Sequence, residues 1–147
     1  MFVRCMLVLA VAAATAACGR SAADGRPAFT PVASTRELMD GIVIPYSQAI
    51  FDAVAYENAQ LTRAPRNDDE WHRLKVQALA VAEAGNLLLM PARARDTSGW
   101  PPLAQAMTVK AAAVASAADQ KNVELVLQTG GELYETCTAC HAKYVTQ

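Results

Sequence analysis

Three residues near the C-terminal end of the chain have the types and the spacing that a covalent cofactor site needs. Cys137, Cys140 and His141 form a Cys-x-x-Cys-His segment. On an α-helix, residues three and four positions apart lie on one face, so both thiols and the imidazole would point into one wedge. Two such thiols can bond the two vinyl-derived carbons along one haem edge, and the imidazole can reach the iron. The pattern predicts one covalently bound haem c with His141 as the proximal iron ligand.

The N-terminal residues have the layout of a bacterial export signal. A short positive start precedes an apolar run and small residues, so residues 1–17 are predicted to be a signal peptide. The segment around Cys18, Ala-Ala-Cys-Gly, resembles a lipobox whose cysteine is lipidated, although Thr15 stands where leucine is usual. Ordinary cleavage between Ala14 and Ala17 is the alternative. Both outcomes place the mature domain outside the cytoplasm, and we expect it in the periplasm, anchored to a membrane through Cys18.

Three other uses of the cysteine pair have to be weighed against haem attachment. A thiol redox centre usually lies at a helix start in a βαβ unit, whereas this pair lies at the end of the last predicted helix. A closed zinc site needs about four protein ligands and would have to recruit His72 or carboxylates. A disulfide between cysteines three residues apart on a helix would constrain little. The histidine after Cys140 and the export signal together favour haem.

The elements that must position these residues follow from the spacing of the apolar side chains. Residues 18–33 are rich in Gly, Ala, Ser and Pro and are predicted to be a flexible tether, and residues 34–147 to form one domain. No segment of this domain alternates like a strand. Apolar residues recur at intervals of three and four, which predicts four helices. These helices span residues 35–61, 68–90, 101–118 and 121–144. Short connections between them predict an all-α fold, an antiparallel up-and-down four-helix bundle with a C-terminal haem-attachment helix.

Several residues are expected to shape these helices. Pro45 has no N–H and crowds the carbonyl of Gly41, so a kink or break is expected between the two. Asn67 is expected to cap the second helix. Gly130 and Gly131 weaken the fourth helix and are expected to mark either close packing or a bend.

The pattern as a whole resembles the class II cytochromes c, the group of the cytochromes c′ and their low-spin relatives. The resemblance is carried by Cys-Thr-Ala-Cys-His-Ala-Lys-Tyr, residues 137–144, on the final helix, and by residues 83–91. It covers residues 34–144 and implies export, covalent haem and a four-helix bundle. Many members have an arginine after the tyrosine. Here Val145 follows Tyr144, which leaves the usual contact to a haem propionate without its arginine.

If the resemblance holds, the residue at the sixth coordination position of the iron distinguishes electron transfer from gas binding. In this family the first helix approaches the iron opposite the histidine. Cytochromes c′ leave the position open behind an apolar residue and bind gases, whereas low-spin members place a methionine there and carry electrons. Met39 is the only methionine on the first predicted helix, and we expect it to be the distal ligand. Ordinary core packing is the alternative for Met39, and Leu38 would then cover an open site.

Five further residues could take part in the site. Met90 adjoins a proline that ends a helix, and Met107 lies on the third predicted helix, so both are weaker ligand candidates than Met39. His72 lies among polar residues and is expected at the surface. Arg36 and Lys143 could pair with haem propionates, although an exposed position is the simpler expectation for each.

The charge balance and the absence of other motifs narrow the function. The chain has 13 Lys and Arg against 14 Asp and Glu and no long basic block, which argues against nucleic-acid binding. No catalytic triad or phosphate loop stands out, so an enzyme is not expected. The predicted function is one-electron transfer with periplasmic or membrane redox proteins as partners. The alternative is a five-coordinate protein that binds NO or CO, and relatives in this family often form homodimers.

Overall fold

The computed structural model describes residues 29–145, and within them the chain is mostly helical with one small sheet. The predicted signal peptide, Cys18 and most of the predicted tether lie outside the described residues. The elements are α1 (Thr35–Leu38), a π-helical turn (Met39–Val43), α2 (Ile44–Phe51), β1 (Ala55–Glu57), β2 (Gln60–Arg63), α3 (Asp68–Leu88), α4 (Trp100–Asp119) and α5 (Val123–Tyr144). The prediction of a mainly helical domain is confirmed.

The first helix begins as predicted but ends at Phe51 rather than near residue 61. At its start, the Ser34 hydroxyl accepts from the Glu37 N–H and the Glu37 carboxylate accepts from the Ser34 N–H, which is a capping box. Beyond Phe51 the prediction is wrong, because β1 and β2 form an antiparallel hairpin. Asn58 and Ala59 turn it with φ values of 50° and 62°, which no α-helix contains.

A π-helical turn occupies the place where the sequence predicts a kink or break. The Ile44 N–H donates to the carbonyl of Met39, five residues earlier, and so closes the wider turn. Pro45 then lies in the first turn of α2, where the lack of an N–H does least harm. The predicted disturbance is therefore confirmed in its position, and it takes the form of one extra residue in a turn.

The other three helices lie within two residues of their predicted bounds at each end. Asn67 caps α3 as predicted, with its side-chain oxygen 2.9 Å from the Glu70 nitrogen. Asn122 caps α5 in the same way, 3.0 Å from the Leu125 nitrogen. None of the helices within residues 29–145 is long and apolar enough to cross a membrane.

Small residues allow the helices to pack closely. A Cβ atom on Gly85 of α3 would come within 3.1 Å of the Ala104 carbonyl oxygen of α4, so only glycine fits this approach. On α5, Gly130 is buried beside Ile50, and the helix continues without a break through Gly131. Gly130 therefore marks close packing, which is one of the two expectations for these glycines. The largest fully buried side chains of the core are Val81, Leu88, Val114, Val126 and Leu133.

Candidate functional site

A cavity of about 840 Å³ brings together the residues that the sequence singles out. Cys137, Cys140 and His141 line it from the last turns of α5, and Met39 lines it from the π-helical turn. Between them is a mainly apolar wall contributed by the π-helical turn, α2, α3 and α4. This wall includes Val43, Ile44, Phe51, Leu88, Leu103, Ala104 and Met107. Side chains that are far apart in the sequence therefore share one space.

The core face of α5 determines where the motif points. Val126 and Leu133 are buried on this helix, and Cys137 follows Leu133 by one turn. Both cysteine side chains are half-buried and are not bonded to each other, whereas His141 is exposed. The buried face thus continues directly into the cavity wall that the motif forms.

The environment of the two thiols keeps them protonated. Burial raises the pKa of the Cys137 thiol. Burial, and then the neighbouring Cys137, raises the pKa of the Cys140 thiol. A thiol redox centre needs the opposite shift, because the thiolate is the nucleophile. The alternative of a redox-active cysteine pair therefore has no support from this environment.

A zinc site also lacks ligands in the part of the chain that the structure describes. Among residues 29–145, no group of three or more His, Cys, Asp and Glu side chains is placed to hold a metal ion. His72 is exposed on α3, as predicted, and it does not line the cavity. The cysteine pair would therefore have to bind zinc with too few protein ligands.

Two methionines reach the cavity. Met39 is half-buried and Met107, on α4, is buried, and both line the space that Cys137 and His141 line. Met107 thus shares the cavity with Met39, a position that its distance from the motif in the sequence does not reveal. Met90 is held elsewhere, with its sulfur 2.8 Å from an Arg93 nitrogen, and Leu38 is buried in the core away from the cavity lining.

Ser47 is an unusual member of the lining. Its side chain is 5 % exposed, and its hydroxyl oxygen is buried without a hydrogen-bond partner among the described residues. The lining hydroxyls of Thr136 and Thr138, by contrast, donate to carbonyls of their own helix, those of Leu133 and Tyr134. A buried hydroxyl without a partner is unfavourable by about 1–3 kcal/mol. Ser47 therefore lines the cavity and carries a hydroxyl that no other described residue satisfies.

The two basic residues considered as partners of haem propionates, Lys143 and Arg36, lie in different places relative to the cavity. Lys143 is the one cation among the described residues that line the cavity. Arg36 is exposed, forms an ion pair with Asp40 at 3.5 Å and does not reach the lining. Both side chains are exposed, as expected, and only Lys143 lines the cavity.

Comparisons of the chain with protein-family models, with curated proteins and with solved structures found no match. The interpretation of the site therefore depends on its residues and their geometry. The donor set fits a haem c: two protonated thiols and an imidazole on one helix, a thioether sulfur on another, an apolar wall and a cation. The cavity also has the volume of a typical cofactor site, which is about 300–1,000 Å³.

Asp96 is a residue of this region that the sequence analysis missed. One of its carboxylate oxygens accepts from the backbone N–H groups of Ser98, Gly99 and Trp100 at 3.0, 2.6 and 3.0 Å. The other oxygen accepts from the Tyr144 hydroxyl at 2.5 Å. The Tyr144 hydrogen bond, and then the backbone N–H groups, hold the pKa of Asp96 well below its usual range. An Asp shortly before Trp-Pro-Pro is a helix-capping signal. No sequence signal, however, predicts that Asp96 would accept a hydrogen bond from Tyr144.

Proposed function

We propose that this chain is an exported c-type cytochrome, related to the class II group, that transfers single electrons through one covalently bound haem. The observation that carries the proposal is the shared cavity, which Cys137, Cys140 and His141 line from α5 and Met39 lines from the first helix. When bound, haem iron supplies the redox chemistry, because it cycles between two oxidation states. The residues of this chain would hold the group through the two cysteines, supply ligands for its iron and surround it with a mainly apolar wall.

The two thiols are the attachment points in this proposal. Cys137 and Cys140 would each hold the haem by adding across one vinyl group, with the sulfur bonded to one carbon and the thiol proton on the other. No oxidant is required, and the protonated state that burial favours supplies the proton. His141, directly after Cys140 on α5, would be the residue that holds the iron.

Met39 is the distal ligand in the proposal, and its thioether would favour reduced iron. It lines the cavity from the side of the first helix, which is the expected side. Met107 lines the same cavity and is the competing sulfur ligand. A His/Met pair is a common arrangement for electron transfer.

An antiparallel up-and-down four-helix arrangement is also part of the proposal. The Phe51 ring packs edge-on against Tyr134 with 5.6 Å between the ring centroids. Further along the chain, the Tyr56 hydroxyl bonds Glu124 in the first turn of α5. As the chain runs forward from Phe51 to Tyr56, its contacts on α5 move back from Tyr134 to Glu124. This supports opposite directions for the first helix and α5.

The test is to produce the full chain in a bacterium that matures c-type cytochromes and to record its spectra. We expect covalent haem that remains on the chain in a denaturing gel and a low-spin oxidised spectrum with a methionine–sulfur band. Met39→Ala should become high-spin and bind carbon monoxide, whereas Met90→Ala, outside the cavity, should match the wild type. A low-spin spectrum that persists in Met39→Ala excludes Met39. A colourless protein with both thiols free overturns the proposal.

A second candidate function, the binding of nitric oxide or carbon monoxide at five-coordinate iron, is favoured by Ser47. Its buried hydroxyl has no partner among residues 29–145 and lies in the lining, where it could donate to an iron-bound gas. In that case the wild-type protein is high-spin and binds carbon monoxide rapidly. Ser47→Ala should then shift the C–O stretching frequency of the carbon monoxide complex. A protein with Met39 on the iron would form no such complex unless the methionine first dissociated.

Export and anchoring complete the proposal. We infer that residues 1–17 direct export to the periplasm and that lipidated Cys18 anchors the domain to a membrane, near redox partner proteins. Both features lie outside the described residues. Cys18→Ala should move the protein from the membrane fraction to the aqueous periplasmic fraction while its haem spectrum stays the same. Retention in the membrane fraction would exclude the lipid anchor.

A further inference from the structure

The last turn of α5 is joined to the loop before α4 by one pair of side chains. The Tyr144 hydroxyl donates to Asp96 at 2.5 Å, and the same carboxylate accepts the backbone N–H groups at the start of α4. We call this contact the Asp96–Tyr144 clamp. It links two segments that lie 48 residues apart in the sequence.

We propose that the Asp96–Tyr144 clamp fixes the orientation of His141, so that Tyr144 is a positioning residue of the site. The inference rests on the proposed function, in which His141 is an axial ligand. Tyr144 follows His141 by three residues and therefore lies on the same side of the helix, one turn away. A group that holds Tyr144 also holds the turn that carries the imidazole.

The imidazole has no other visible restraint. Within residues 29–145, the His141 ring makes no hydrogen bond to a side chain or to a backbone group. Metal-binding histidines are usually oriented by a hydrogen bond from the second ring nitrogen. His141 is also exposed and lies in the last turn of a helix, where ends fray. Its orientation must therefore come from the helical turn itself.

The clamp can supply that rigidity because Tyr144 is held on two sides. Its ring packs edge-on against Trp100 with 5.0 Å between centroids. Trp100 is buried, and its indole N–H donates to the Leu88 carbonyl of α3 at 2.7 Å. The turn of α5 that carries His141 is thus connected through two aromatic rings to the core of α3.

Gly99 makes the close approach of the tyrosine hydroxyl feasible. A Cβ atom at this position would lie 2.7 Å from the Tyr144 hydroxyl oxygen and would also meet the Lys143 side chain. Any larger residue would push the last turn of α5 away from the loop. Gly99 thus gives a second way to disturb the clamp without deleting a polar atom.

The experiment compares Tyr144→Phe with Tyr56→Phe. Each removes one hydroxyl that bonds a carboxylate and leaves the ring, but Tyr56 ties the opposite end of α5 through Glu124. Hydrogen exchange tests the clamp itself. In Tyr144→Phe the amides of the last turn of α5 should exchange about tenfold faster, as expected for the loss of one hydrogen bond of typical strength. In Tyr56→Phe these amides should exchange at the wild-type rate.

The haem-loaded protein tests the positioning role. The paramagnetically shifted haem methyl proton resonances of the oxidised protein depend on the orientation of the axial imidazole. We expect them, and the reduction potential, to shift in Tyr144→Phe and in Gly99→Ala but not in Tyr56→Phe. Faster exchange with a shifted spectrum supports the inference. Wild-type exchange rates, or a wild-type spectrum in both clamp variants, overturn it while the proposed function stands. A colourless wild-type protein overturns the proposed function, and the positioning role with it.

Discussion

The register of α5 can be tested by one substitution in its buried face. Leu133 is 0 % exposed and lies one helical turn before Cys137, so the two side chains share a face. Leu127, on the same helix, is 45 % exposed. Leu133→Ala and Leu127→Ala therefore delete the same atoms from one helix in two environments, and only the first leaves a cavity under the turn that carries Cys137.

The expected magnitudes follow from these exposures. Leu→Ala at a fully buried site lowers the free energy of unfolding by about 2–5 kcal/mol, so about 3 kcal/mol is expected for Leu133→Ala. Leu127 already has much of its surface in water, and its loss should lower the free energy of unfolding by less than about 1 kcal/mol. With a urea m-value of about 1–3 kcal/mol/M, the midpoint for Leu133→Ala should fall by at least about 1 M.

The assay is urea unfolding of both variants and the wild type in the same haem state. The m-value should stay constant, which would show that stability and not the denatured state has changed. Equal midpoints for the two variants would refute the reasoning. They would mean that Leu133 is not on the core face of α5, and that Cys137 does not face the cavity either.

Three further predictions concern the polar groups of the site. Ser47→Ala should raise the free energy of unfolding of the haem-free protein by about 1 kcal/mol, because it removes a buried hydroxyl without an acceptor; a loss of stability would contradict this. Burial raises the pKa of the Cys137 and Cys140 thiols, so iodoacetamide at pH 8 should modify the folded haem-free protein more slowly than the urea-unfolded chain. Equal rates would count against the burial. The pKa of Asp96 is lowered in the folded state, so its stabilising contribution is present above about pH 4 and lost as the pH falls. The free energy of unfolding should therefore fall less steeply with acid in Asp96→Asn, and parallel acid curves would exclude this role.

The helices could be predicted from the sequence where local signals agree with the tertiary contacts. In α3 the cap at Asn67, the apolar spacing and the terminating Pro91 all agree with the structure. The hairpin after Phe51 was not predictable in this way. Its turn residues are Asn58 and Ala59, both with positive φ. The second position is alanine instead of the glycine that usually marks such a turn, so the usual hairpin signal is missing. The alanines on both sides favour a helix, and only the paired strands override that preference.

The cysteine–histidine motif was predictable from local spacing, and Met39, which also lines the cavity, from the family resemblance. Cys137, Cys140 and His141 lie within five residues, so their spacing alone places them on one face. Met107 lines the cavity, and Asp96 bonds Tyr144, through contacts between distant segments, and no periodicity in the chain encodes those contacts. Ser47 was also missed, because a serine within a helix ordinarily bonds its own backbone and gives no sign that its hydroxyl will be unpaired.

The π-helical turn has a consequence for the rotational phase of the first helix. Each residue advances an α-helix by about 100°, and the extra residue of Met39–Val43 shifts everything before it by that angle. In an uninterrupted helix in phase with the buried Val43 and Ser47, Arg36 would point into the core and Leu38 towards water. The added residue exchanges them: Leu38 is 4 % exposed and Arg36 lies outside. One residue of surplus chain thus keeps a guanidinium out of the protein interior.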